Sequence, residues 1–325
     1  MSADDRVLVG DVGGTHARFA VVQPANAGPW RIEKRLDLAE PFRTFNDALH
    51  SYLERAALTP LPPVAAIAVA GPVEAGSARF TNRGWDISEQ ALRAMGFKRA
   101  LLINDFAALA LAVDLLDDKH LDCIGPQIQG LAGGTITILG AGTGFGVSCL
   151  ARYGDRAVPM ATEGGHMGFA PGNAQELEVL KLLWKQSGHV STERILSGGG
   201  LEHLYQALEQ LAGHTVSPLT AAEISAAAMR NDAGPRAALT MFCSIFGAVA
   251  GDLALAHGAR GGVYIAGGIA EKIEEFLKQS PFRQRFEDKG RLTAYVAAIP
   301  TQLITSPDIA LLGAARSGVM LARAI

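Results

Sequence analysis

Short apolar runs recur along the chain, each closed by glycine, proline or charged residues. Runs rich in Val, Ile and Leu at residues 6–10, 17–22, 64–70, 100–103, 135–139, 146–151 and 262–266 predict strands, with helical segments between them. Two helix starts carry their own signals: Asn173 stands three residues before Glu176, and Thr220 three before Glu223, in the manner of a capping box. Gly188 and Gly258 then read as C-terminal stops. Strands alternating with helices predict an α/β protein with covered sheets. The opening pair of strands is joined by a short loop, so it reads as a hairpin and not as strand-helix-strand.

That hairpin has a second copy. "VLVGDVGGTHARFAVV" at residues 7–22 runs apolar strand, glycine-threonine turn, apolar strand, and "TITILGAGTGFGVSCLA" at 135–151 repeats the arrangement. Leu8-Val9-Gly10-Asp11 with Gly13-Gly14-Thr15 is echoed by Ile138-Leu139-Gly140 with Gly142-Thr143-Gly144. Two domains, each opening on the same device, follow from the repeat.

Composition narrows the function classes. The 325 residues are 49% hydrophobic and 19% charged, which fits a globular protein of one large domain or two ordinary ones. A net charge of -3, with no run of Lys and Arg, leaves no footprint for nucleic acid or an anionic membrane surface. The acidic start, Met1-Ser2-Ala3-Asp4-Asp5, lacks the basic and apolar regions of a signal peptide. The most apolar long segment, residues 241–256, is cut by Asp252 and falls short of the roughly 20 residues of a membrane span. A cytoplasmic protein is expected. Cys123, Cys149 and Cys243 are far apart, without C-x-x-C spacing, and read as small buried apolar residues.

Glycines let backbone N–H groups form a concave nest that suits phosphate oxygens, and a threonine hydroxyl adds a donor. Glycine is abundant here, 37 of 325 residues, so one such loop alone reads as an ordinary hairpin turn; the repetition favours the nest. Neither a G-x-x-x-x-G-K-[ST] P-loop nor a G-x-G-x-x-G dinucleotide fingerprint is present. Neither loop has a lysine, so phosphate charge must be met by backbone N–H groups and a divalent metal. Asp11, at a strand end, is the acid placed to hold magnesium through water. In "GGVYIAGGIAEKI", Gly267-Gly268 opens a helix with bare backbone, suited to a nucleobase or ribose or to a plain helix entry.

Acids and amides sit in the loops as well. "ALLINDFAALALA" drops Asn104-Asp105 between strand and helix, where one of them is a helix N-cap or both meet a ligand at a strand's C-terminal end. "TEGGHMGFAP" carries Glu163 and His166, and without H-E-x-x-H or nearby cysteines it does not read as a metal site. "SGHVSTERILSGGGLEHLY" carries Glu193, which alone looks like an exposed glutamate at a helix start. Three acids, an amide and an imidazole suit a ligand with many hydroxyls, because a charge-assisted carboxylate–hydroxyl bond contributes about 1.5–3 kcal/mol once water is excluded. One acid could also accept the proton of a hydroxyl that attacks a phosphate.

Together "VGDVGGTHAR", "INDFAALALA", "GAGTGFGV", "EGGHMGFAP", "STERILSG", "GGVYIAGGI", "FEDKGR" and "LLGAA" resemble, in order and spacing over nearly the whole chain, the bacterial glucokinases of the proteobacterial type. The resemblance implies a two-domain actin-like ATPase (ribonuclease H-like) fold with a central cleft. It places a small α/β domain at 1–115 plus 306–325 and a large one at 116–305. It further implies ATP and Mg2+ held by both hairpins, D-glucose phosphorylated on its 6-hydroxyl, and a homodimer. By the same carry-over Asp105 is the general base, and Asn104, Glu163, His166 and Glu193 bind glucose with it. Asp11, Gly13, Gly14 and Thr15 form the first phosphate loop, Gly142, Thr143 and Gly144 the second, and Gly267 and Gly268 lie at adenosine. Related ROK sugar kinases carry a zinc-binding cysteine cluster after the glycine-histidine motif, and "GHMGFAPGNAQ" has none. His16 departs from the asparagine often found there; a charged His16 beside phosphate would favour nucleotide binding at low pH, whereas one that hydrogen-bonds locally changes little. A non-catalytic sugar- or nucleotide-binding regulator of the same fold is the alternative, and such a protein has no use for a base at Asp105.

Overall fold

The run Val7–Val12 forms strand β1, and its neighbour Ala17–Gln23 folds back on it as β2. The computed structural model describes residues 6–13, 17–25, 29–80, 84–154 and 156–323. The chain continues with β3 (Arg31–Leu38), α1 (Phe45–Arg55), β4 (Val64–Val69), β5 (Ser77–Phe80), β6 (Trp85–Ser88), α2 (Glu89–Ala94), β7 (Arg99–Asn104) and α3 (Asp105–Ala112). Then come β8 (Leu121–Cys123), β9 (Ile136–Ala141), β10 (Phe145–Tyr153), β11 (Arg156–Thr162), α4 (Ala174–Trp184), α5 (Gly198–Leu211), α6 (Ala221–Met229) and α7 (Ala233–His257). The last elements are β12 (Gly262–Ala266), α8 (Gly268–Lys272), α9 (Glu274–Gln279), α10 (Phe282–Glu287), α11 (Thr293–Ala297), β13 (Thr301–Ile304) and α12 (Ile309–Arg323).

The fold divides into two units: Met1–Asp117 with Ala157–Ala161 and Ser306–Ile325, and Asp118–Arg156 with Thr162–Thr305. The first contains a five-stranded sheet of order β3-β2-β1-β4-β7, in which the pairs β1–β4 and β4–β7 are parallel and the pairs β1–β2 and β2–β3 antiparallel. Strand alternation sends its side chains to two cores. Leu8, Val12, Ile67 and Leu102 meet α1 and the aromatic group Phe19, Phe45, Tyr52 and Trp85, while Val7, Val9 and Ala66 pack with Ala108 of α3 and Leu311 and Ala314 of α12.

The second sheet has the order β11-β10-β9-β12-β13-β8, with β9, β12 and β13 parallel. Its first five strands repeat the pattern of the other sheet: hairpin, third antiparallel strand, then two parallel crossovers. The core of this unit is built around α7, whose Phe242 and Phe246 stack edge-on with each other, and Phe246 does so with Phe282 of α10. At 25 residues α7 is long and apolar enough to cross a membrane by length and composition alone, which corrects the expectation that this segment falls short. Two thirds of its most apolar window is buried inside the protein, as in the core helix of a globular domain.

Three of the four helix-end signals hold. Thr220 and Glu223 form a reciprocal capping box, Asn173 caps α4, and Gly258 ends α7 in the left-handed conformation. Gly188 is no cap, because α4 has already stopped at Trp184. The Glu176 carboxylate does not complete a box; it accepts from Gly172 N–H at 2.6 Å and pairs with Arg285 at 3.3 Å.

Candidate active site

In the first unit the parallel strands β1, β4 and β7 end side by side. Val12 is in register with Val69, and Val69 with Asn104. Gly13 after β1, Gly71 after β4 and the start of α3 are thereby gathered at one sheet edge, where α/β proteins bind ligands. Asn104 is the N-cap of α3: its Oδ1 accepts from Ala107 N–H at 3.0 Å, and its Nδ2 donates to Gly71 O at 3.3 Å and Asp105 Oδ1 at 3.1 Å. Asp105 Oδ1 also accepts from Phe106 N–H at 2.8 Å. These bonds fix the plane of the Asp105 carboxylate at the first turn of the helix.

Asp11 lies directly across the β1–β2 ladder from Arg18, and the two form an ion pair at 3.6 Å. Arg18 also holds Asp37 at 3.1 Å and donates to Pro307 O at 2.9 Å. Burial raises the Asp11 pKa above its ordinary value, Arg18 opposes that, and the Asp37 charge adds to it. Its carboxylate is a half-buried, hard-oxygen anion facing the Arg18 guanidinium. Gly13 follows β1 directly, whereas Gly14, Thr15 and His16 lie outside the described residues.

The second unit brings the rest of its candidates together at the matching edge. Ala266 of β12 is in register with Gly140 of β9, so the turn Gly142-Thr143-Gly144 and the entry Gly267-Gly268 are neighbours. Gly267 has φ +94°, and a Cβ there would fall 2.5 Å from Ala141 O, so only glycine fits between the two strand ends. The turn is closed by Gly142 N–H to Gly144 O at 2.8 Å, with Thr143 exposed at its tip. The N-terminus of α5 rests on it through Gly198 N–H to Gly142 O at 2.9 Å, with Ser197 as N-cap.

Glu163 precedes a single 3₁₀ turn, Gly164–His166, tied to β10 through Thr162, whose Oγ1 donates to Val147 O at 2.7 Å. A Cβ on Gly165 would meet Phe145 O at 2.0 Å, so the glycine lets the turn lie directly on the β10 backbone. Glu163 and His166 are both exposed. Glu193 joins this turn to the glycine turn: its N–H donates to Gly165 O at 2.9 Å, and its Oε2 accepts from Phe145 N–H at 2.9 Å. His166 and Glu193 line one groove of ≈ 590 Å³ with His189, Arg194, Ser197 and His203.

Every described candidate thus lies at one of two sheet edges, Asp11, Gly13, Asn104 and Asp105 in the first unit and the others in the second. Sequence reasoning missed Arg18, Gly71, and Ser197 with Gly198. Arg18 is visible only once the hairpin register is known. The signal for the α5 N-terminus was present in "LSGGGL", beside the chosen Glu193. Among the described residues no cluster of three or more His, Cys, Asp or Glu forms a metal cage.

A sequence profile described as Glucokinase matches residues 8–320. A glucokinase of Caulobacter sp. (strain K31) is 48% identical over 309 residues, spanning 95% of this chain and 93% of the relative. The crystal structure of a glucokinase from an Antarctic psychrotroph superposes with a TM-score of 0.88 at 37% identity, covering 97% of this chain and 98% of that one. A ROK family glucokinase from Streptomyces griseus, crystallised with glucose and AMPPNP, shares the fold with a TM-score of 0.64 at 18% identity over 97% of this chain and 99% of that one. The repeated sheet order is that of the actin-like ATPase fold. The chain belongs to the glucokinase family.

Proposed function

We propose that the protein transfers the γ-phosphoryl group of ATP to the 6-hydroxyl of D-glucose, with Asp105 as general base. Family membership across residues 8–320 carries the reading of the reaction. The base assignment is supported by the geometry at α3: Asn104 caps the helix, and the Asp105 carboxylate is held in plane at its first turn by Asn104 Nδ2 and Phe106 N–H. Asp105 accepts the hydroxyl proton as the oxygen attacks phosphorus, and the rest of the site positions the reactants.

Asn104, Glu163, His166 and Glu193 hold the sugar hydroxyls in this reading. Gly13, Gly14, Thr15, Gly142, Thr143 and Gly144 meet the phosphates with backbone and hydroxyl donors, and Gly267-Gly268 meets adenosine. A magnesium ion, when bound with ATP, neutralises phosphate charge; the half-buried Asp11 carboxylate fits such an ion, which keeps most of its water and takes one or two protein oxygens. The small domain at 1–115 plus 306–325, the large domain at 116–305, a homodimer and a cytoplasmic location belong to the same proposal.

The test is ATP- and glucose-dependent formation of glucose 6-phosphate by the purified protein, followed through a coupled dehydrogenase. Turnover that requires glucose is expected. Folded protein that turns over ATP equally without sugar contradicts the reading.

A further inference from the structure

We infer that Glu193 is the positioning residue that couples sugar binding to nucleotide binding, over and above its contact with a sugar hydroxyl. The inference rests on the reading that Glu193 binds glucose. The residue is bound at both ends. Its backbone N–H donates to Gly165 O in the Glu163–His166 turn, and its carboxylate Oε2 accepts from Phe145 N–H, the first residue after the Gly142-Thr143-Gly144 turn. Glu193 is partly buried, and Gly144 packs so closely that a Cβ there would lie 2.6 Å from the same Oε2. One carboxylate therefore touches both the turn assigned to phosphate and the groove that contains His166.

A carboxylate has two oxygens and about four acceptor sites, so it can hold an amide and a hydroxyl together. With Oε2 on Phe145 N–H, a sugar hydroxyl on the same group restricts its rotamer and fixes the position of Phe145 and the glycine turn before it. Whatever freedom that already hydrogen-bonded turn retains is then lost on sugar binding, and nucleotide binding no longer has to meet it. Linkage makes the effect reciprocal: the factor by which glucose strengthens nucleotide binding equals the factor by which nucleotide strengthens glucose binding.

The test measures the Kd of AMPPNP with magnesium, with and without saturating glucose, and the Kd of glucose with and without AMPPNP, by calorimetry. Wild type, Glu193→Gln and Gly144→Ala are compared, with melting curves to show that each is folded. Glu193→Gln keeps the shape but leaves a single acceptor oxygen for two partners. Gly144→Ala keeps the carboxylate and displaces it from the turn; the glycine has no left-handed φ, so the backbone tolerates alanine.

Wild type is expected to show about fivefold or greater mutual strengthening, the lower end of common coupling. In both variants the factor should fall below about twofold, and Gly144→Ala should weaken glucose binding measured without nucleotide. Wild-type coupling retained in either folded variant, or absent from a wild type that phosphorylates glucose, overturns the inference alone. A wild type that binds AMPPNP but neither binds nor phosphorylates glucose overturns the glucose reading and this inference with it.

Discussion

The two glycine hairpins share a strand order and differ in where they put charge. In the first, the last ladder pair is Val12 with Ala17, and the pair before it is Asp11 with Arg18. In the second, Ala141 pairs with Phe145 across a three-residue turn, and the pair before it is Gly140 with Gly146. The first hairpin thus carries a carboxylate and a guanidinium in its own ladder, while the second is bare backbone. Its carboxylate comes from Glu193, which is 48 residues further along the chain than the amide it accepts from. The repeated topology supplies two similar edges, and the side chains make one suited to a cation and a base and the other to neutral donors and sugar contacts.

Substitutions can break this contrast. Among substitutions in the turns and hairpins, the largest effect is expected at Gly165, where alanine would press on Phe145 O and force the turn bearing Glu163 and His166 off β10. Overpacking of this kind costs about 1–3 kcal/mol, and with the turn displaced glucose affinity should fall well over tenfold. Gly165→Ala with unchanged glucose Kd would show that this turn is not part of the sugar site.

A smaller loss is expected for Gly267→Ala, which adds strain at a left-handed φ to a 2.5 Å approach to Ala141 O. The KM for ATP should rise several-fold while the glucose Kd without nucleotide changes little. Equal losses for both substrates would contradict the separation of roles within the second unit.

The smallest change concerns Asp11, and it tests the charged hairpin through stability. Burial raises its folded pKa above the unfolded value, so the ionised carboxylate costs stability at pH above both values. That cost shrinks as the pH falls through the folded value and vanishes below the unfolded one. Asp11→Asn should therefore raise the Tm of the ligand-free protein at pH 7, with the gain fading towards pH 4, and should weaken MgATP binding. A lower Tm at pH 7 would mean that the Arg18 pair outweighs burial.

The same contrast explains what the sequence could reveal. Strands β1, β2, β4, β9, β10 and β12 are mostly buried and read as apolar runs, as does the half-buried edge strand β7. Strand β3, RIEKRLDL, is an edge strand whose residues are mostly exposed or half-buried, and its charges hide it. Strand β11, RAVPMAT, lies at the edge of the other sheet and carries a proline, so it too does not read as an apolar run. Asn104-Asp105, Glu163 and His166 were legible because strand, turn and acid are adjacent in sequence. The choice between Asn104 and Asp105 as cap needed geometry, since either side chain can accept the helix N–H groups. The Asp11–Arg18 pair depends on hairpin register, and the bonds from Glu193 to Phe145 and from Gly198 to Gly142 span segments that no local pattern connects.

The most direct test of the assigned chemistry compares wild type with Asp105→Ala, measuring kcat for glucose 6-phosphate formation and, separately, the glucose Kd by calorimetry. Loss of a general base should lower kcat by ~10²- to 10⁴-fold, with glucose Kd changed by less than about tenfold. Turnover that survives while glucose affinity collapses would contradict it, making Asp105 a sugar-binding group and leaving the proton to another acceptor.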